Sequence, residues 1–264
     1  MKKLFKIIVP VLMMVTALGL GLYPYYSQWW NDRIHAEVLS QLNDVVAVGP
    51  EERLENIRQA AHEYNQKFIA TGDNSDYMQQ LSPIDGSDLM GRIKIPSINV
   101  DIPIYHTSSD AILRKGAGHM EETTLPVGGK STHAAITAHR GLAESVLFTN
   151  LDKVKVGDTF TIEVLGEPIV YQVETVRIVA PTETDWLKVD PDRDLVTLIT
   201  CDPLGINTER MLVTGERTLP TPIKAIKEAN APVETGGIPW WIIVVVAGVV
   251  VTSYLAYWST NSKK

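Results

Sequence analysis

The chain has 264 residues, 45% of them hydrophobic, with 24 basic against 31 acidic side chains and a net charge of −7. Five basic residues (Lys2, Lys3, Lys6, Lys263 and Lys264) stand at the two ends, so the middle carries 19 basic and 31 acidic residues, a net of −12 that argues against nucleic acid or anionic lipid as a partner. A single cysteine, Cys201, excludes an internal disulfide and a protein-only thiolate metal cage.

Residues 4–23 are mostly apolar, follow Lys2 and Lys3, and are interrupted only by Lys6 and Pro10. About 20 such residues suffice to span a bilayer. A cleaved signal peptide is the alternative. Tyr23-Pro24-Tyr25-Tyr26 offers no small-x-small cleavage site, so residues 1–26 are expected to form a retained anchor. Residues 27–89 then make a helical extension and a loop. Over 31–70, Leu54, Ile57, Ala61, Tyr64 and Phe68 recur at spacings of three and four, one apolar stripe that reads as packing. Gly49-Pro50 breaks this stretch from the one before it and predicts a helical hairpin. Residues 71–87 are polar and read as a loop.

From Met90 the pattern turns to short β-branched runs: 91–95, 100–105, 134–138, 159–165, 169–179, 195–201 and 210–214. Seven or eight strands separated by turn residues predict a mainly β closed barrel or sandwich over 90–219, with helical turns at 110–115 and 142–151. Residues 220–239 are a proline-rich linker. Residues 240–259 are a second span, with tryptophans at both ends and lysines in the 260–264 tail. Both termini are thereby expected in the cytoplasm, with the middle on the outer side of the membrane. A lone free thiol on that side points to use rather than structure.

Cys201 ends a strand, the cluster Asp202-Pro203-Leu204-Gly205 follows, and Arg210 opens the next apolar run. An antiparallel pair would set Cys201 beside Arg210 at the mouth of the loop. A cysteine nucleophile needs an acid–base partner. His35 and His62 lie in the helical prefix and read as surface residues. His139 ends an apolar strand and precedes Arg140-Gly141, His133 stands at the other end of that strand, and His119 is a third choice. The pattern leaves His139 and His133 both open. Arg210 is either a surface ion-pair partner or a fork of donors for an oxyanion.

Thr197-Leu198-Ile199-Thr200-Cys201 with Asn207 and Arg210 resembles the sortase signature, and Ala138-His139-Arg140-Gly141 resembles the sortase histidine motif. The likeness continues through Leu125-Pro126-Val127-Gly128-Gly129, Ser131-Thr132-His133, Ile102-Pro103-Ile104-Tyr105-His106 and Gly118-His119, about 90–217 in all. The helical prefix and second span are similar to the class C, pilin-polymerising branch. The resemblance implies an eight-stranded barrel with Cys201 as nucleophile, His139 rather than His133 as acid–base, and Arg210 as oxyanion stabiliser. It implies cleavage of a Leu-Pro-x-Thr-Gly-like signal between Thr and Gly through a thioester, then transfer to a pilin lysine on the outer face of a Gram-positive-type membrane. No metal or organic cofactor is expected. Attachment of surface proteins to cell-wall peptide is the alternative, and a catalytically silent binding barrel a remote one. The chain departs from the branch in lacking an Asp-Pro-aromatic triplet in 71–87, which leaves Tyr77 and Met78 as the only plugs. Asp202, next to the thiol, would disfavour thiolate if it pointed inward, and strand alternation predicts that it points away.

Overall fold

A computed structural model describes residues 2–84, 86–223, 226–227 and 239–261. Helix α1 (Lys2–Val48) runs unbroken from the N-terminal apolar segment into the polar prefix. Gly49 and Pro50 end it, and α2 (Glu51–Thr71) begins at once, so the expected break between two helices is present. Gly72, in the left-handed region at φ 73°, closes α2 by donating its N–H to the Phe68 carbonyl at 2.7 Å. The predicted stripe is the docking face: Leu54, Ala61 and Tyr64 are buried in the main core and Ile57 and Phe68 pack against it. Asn65 on the same helix holds the Leu125 backbone from both sides, donating to its carbonyl (3.0 Å) and accepting from its N–H (2.7 Å).

Eight strands close into a barrel in the order β1-β2-β3-β4-β7-β8-β6-β5. They are β1 (Leu89–Ile95), β2 (Val100–His106), β3 (Ala117–His119), β4 (Thr132–Thr137), β5 (Thr159–Val164), β6 (Glu167–Val179), β7 (Asp194–Asp202) and β8 (Glu209–Arg217). A four-residue helix, α3 (Asp110–Leu113), carries the chain between the parallel neighbours β2 and β3. Strands β4 and β7 are also parallel, and the remaining contacts are antiparallel. One strand was not individually foreseen, and one expectation needs correction. Strand β3 was not legible because Ala-Gly-His has no β-branched residue. The helical turn expected over 142–151 is irregular loop ending in one tight turn at Leu151–Lys153.

Strands β4, β7 and β8 are buried on both faces. Ala134, Ile136, Val196, Leu198, Met211 and Val213 belong to the main core, while the alternating Ala135, Ile199 and Leu212 form a second cluster with Met120, Val179, Trp186 and Leu187. That second face is the outside of the barrel, and β7 residues two apart from Ile199 share it. Gly215 is the one place on β8 where the inner face admits no side chain, since a Cβ there would lie 2.6 Å from the Phe160 ring.

Among the described residues, no helix is long and apolar enough to cross a membrane. The two segments read as spans fall in α1 and in α4 (Trp240–Asn261), several of whose side chains lie outside the described residues, as do most of the expected 220–239 linker and of the 260–264 tail.

Candidate active site

Cys201 and Arg210 are direct cross-strand partners on β7 and β8. Residues opposite one another in an antiparallel pair have Cβ atoms about 5 Å apart on one face. On the other flank of β7, β4 runs parallel in register Thr137 with Ile199. The chain keeps that register past the end of β4: the Ala138 N–H donates to the Ile199 carbonyl at 3.2 Å, and Thr200 Oγ1 donates to the Ala138 carbonyl at 2.9 Å. The next residue, His139, therefore arrives level with Cys201. The three candidates come from adjacent strand ends and sit in one row, with Cys201 in the middle.

Cys201 and Arg210 are half-buried, and the His139 side chain is 25% exposed. The His139 carbonyl accepts from the N–H of Phe148, a fully buried ring that pins the turn. His139 Nε2 lies 3.3 Å from Asp110 Oδ1 on α3, and Asp110 Oδ2 accepts from Arg114 Nε at 2.9 Å. Arg114 first, and His139 second, hold the Asp110 carboxyl below its ordinary value. Arg210 donates to the carbonyls of Glu209 (2.9 Å) and Asn207 (3.4 Å), and among the described residues no carboxylate pairs with it. The ion-pair reading of Arg210 thus finds no partner. A cationic fork beside a thiol favours thiolate and can receive an oxyanion.

The rival histidines are built into the structure. His133 is buried, with Nδ1 3.0 Å from the Lys188 carbonyl and Nε2 2.7 Å from Thr197 Oγ1, and burial lowers its pKa. His119 is completely buried between Tyr77 Oη (3.0 Å from Nδ1) and the Thr124 carbonyl (2.8 Å from Nε2), and burial brings its pKa down to about 4. His35, read from sequence as a surface residue, is instead buried, with Nε2 2.9 Å from the Lys115 carbonyl. His62 is half-buried on α2. Both ring nitrogens of His106 face carbonyls, Asp88 at 3.0 Å and Gln80 at 2.8 Å, tying the loop before the barrel to β2.

That loop does not plug the site through Tyr77. The Tyr77 ring is buried against Tyr64, His106 and His119, and its hydroxyl accepts the Thr107 N–H at 3.2 Å. It anchors the loop in the main core. Met78 is half exposed.

Asp202 points away from the thiol, as alternation requires, and meets Arg140, the residue after His139. Arg140 Nη2 also lies 3.1 Å from Asp152 Oδ2. Sequence separation of 62 residues hid this pair. Gly141 follows at φ 77°, and a Cβ there would come within 2.6 Å of Leu204 in the β7–β8 loop, so the two loops are in close contact. From the far side, α1 holds the same segment: Ser27 Oγ donates to the Ala143 carbonyl at 3.2 Å and Asn31 Nδ2 to the Glu144 carbonyl at 2.7 Å.

The sortase domain family matches residues 93–218. The chain is 39% identical to sortase C1 of Streptococcus agalactiae, with a TM-score of 0.66, covering 69% of this chain and 98% of that one. It is 42% identical to Clostridium perfringens sortase C, solved with the C-terminal cell wall sorting motif, with a TM-score of 0.64 and coverage of 69% and 98%. Among curated relatives, it is 30% identical to sortase A of Bacillus anthracis over 133 residues, which is 50% of this chain and 61% of the relative. The chain spans less than two thirds of the length of that relative.

Proposed function

This chain belongs to the sortase family, and we propose that it is a membrane-anchored cysteine transpeptidase that joins pilin subunits. The observation that carries the proposal is the row of Cys201 between Arg210, its cross-strand partner, and His139, delivered level with it by the β4–β7 register. In this reading the Cys201 thiolate attacks the threonine carbonyl of a Leu-Pro-x-Thr-Gly-like signal. Arg210 receives the negative charge that develops on the carbonyl oxygen. The C–N bond breaks as His139 gives its proton to the leaving glycine amine, and a thioester remains. His139 then takes a proton from an incoming lysine amine, the new C–N bond forms, and the C–S bond breaks to return the thiolate.

Support for the pilin branch comes from the docked helical prefix and from neighbours that carry the name sortase C over nearly their whole length. One of those neighbours was solved with a sorting motif, which supports a sorting signal as the substrate class. The curated relative named sortase A favours the second reading, in which a cell-wall amine resolves the thioester. Residues 1–26 and 240–259 would be the two spans, with the barrel on the outer face. Incubation with a Leu-Pro-x-Thr-Gly peptide should yield an adduct at Cys201 by mass that Cys201→Ala abolishes, and co-expression with candidate pilins should yield a high-mass ladder. An adduct without a ladder, with transfer to cell-wall peptide instead, would favour the second reading. No adduct in either form of the protein would end both.

A further inference from the structure

The turn that carries His139 and the strand end that carries Cys201 are joined one residue further on, by Arg140 and Asp202. The join is largely buried, with the Arg140 side chain 7% and the Asp202 side chain 13% exposed. Arg140 is held from a second side as well, since its other arm is on Asp152 beside the tight turn at Leu151–Lys153. Its Nε is buried without an acceptor among the described residues, so the guanidinium has given up water without full repayment. A buried ion pair is weak evidence for stability, since apolar replacement of such pairs is often neutral or stabilising. Its placement is the more informative fact: it ties the residue after one candidate to the residue after the other.

We propose that Arg140 is a positioning residue that braces His139 against Cys201 through Asp202 and, in the same contact, keeps the Asp202 carboxylate from opposing the thiolate. The proposal rests on the cysteine-nucleophile reading above. The bracing role follows from connectivity, since an error of about 1 Å between reacting groups can cost about 10²-fold in rate. The shielding role follows from charge. Around Cys201 stand Asp202 on its own strand, Arg210 and Glu209 on β8, His139 and Arg140 on the turn after β4, and Asp110 and Arg114 on α3. Of these carboxylates, Asp202 is covalently next to the thiol, and without Arg140 its charge would stand uncompensated there and disfavour thiolate.

The two roles separate in a four-protein comparison on the full chain in detergent: wild type, Arg140→Gln, Asp202→Asn and the double variant. Two quantities are read, the rate of Cys201 alkylation by iodoacetamide across pH and the kcat for peptide cleavage. The uncompensated carboxylate in R140Q should slow alkylation about tenfold at neutral pH and move its rise to higher pH. D202N should alkylate at least as fast as wild type, and the double variant should recover the wild-type alkylation rate. Loss of the brace should lower kcat about 10- to 100-fold in all three variants, with KM little changed. Equal alkylation in R140Q and wild type, or a double variant as slow as R140Q, would overturn the shielding role. Unchanged kcat in folded D202N would overturn the brace. D202N is isosteric and guards against a misfolded R140Q. Because alkylation needs no peptide, an alkylation pattern as expected with no peptide cleavage in wild type would leave the shielding role standing and remove the transpeptidase reading, and the brace with it.

Discussion

Replacing Arg210 by alanine tests the candidate site most directly, because the structure separates its chemical from its structural contribution. Among the described residues its guanidinium bonds to the carbonyls of Glu209 and Asn207 alone, at 2.9 and 3.4 Å, and the residue is half-buried. Those bonds lie at the solvent edge, where a hydrogen bond contributes about 1 kcal/mol or less, and the carbonyls can turn to water. Unfolding should therefore move by no more than about 1 kcal/mol. The loss of a donor to the developing oxyanion is larger, about 10²–10³ in kcat or roughly 3–4 kcal/mol. Arg210→Lys keeps the charge but not the fork and should fall between alanine and wild type. The assay is single-turnover appearance of the peptide adduct on Cys201, followed by mass, with thermal unfolding of each variant alongside. An R210A protein that acylates within threefold of wild type would refute the oxyanion role. A variant that loses several kcal/mol of stability would show instead that Arg210 holds the β7–β8 loop.

Asn65→Ala should destabilise the chain by about 2–3 kcal/mol in urea titration, because it leaves the buried N–H and carbonyl of Leu125 without partners; an effect under 0.5 kcal/mol would mean that water replaces both bonds. Gly215→Ala should cost about 1–3 kcal/mol by overpacking the Phe160 ring, and Phe160→Leu in the same chain should return part of it. His119 is held neutral with its pKa brought down from 6.5 to about 4 by burial, so the unfolded chain binds the extra proton between those values. Its contribution is present in full above about pH 6.5 and is lost as pH falls toward 4, on the order of 3 kcal/mol across the window. His119→Gln should flatten that acid limb of the stability curve, and an unchanged slope would count against it.

Much of the barrel was readable because β7 is rich in β-branched residues, β8 holds an apolar run from Met211 to Val213, and α2 shows one clean stripe. The Cys201–Arg210 pairing followed from two runs and a short loop. The choice between His139 and His133 was not readable from pattern, because both flank the same strand. What distinguishes them lies across space: His133 meets Thr197 and the Lys188 carbonyl, whereas His139 meets an exposed carboxylate on α3. Strand β3 is too short to carry a pattern, and it forms because β2 and β4 present ladders on either side. The Arg140–Asp202 pair and the Asp110 contact join segments far apart in sequence, where no local rule reaches. Tyr77 sits in a polar loop whose composition gives no hint that its ring is core.

A long α-helix behaves as a stiff rod, and the one that opens this chain is fastened through Ser27 and Asn31 to the carbonyls of Ala143 and Glu144, four and five residues from His139. A shift of the rod along its axis bears directly on the loop that follows the turn holding the imidazole. About 25 residues of helix precede Ser27, a lever on the order of 38 Å at 1.5 Å per residue. Tension or tilt applied at its far end is thus a mechanical input to the same turn.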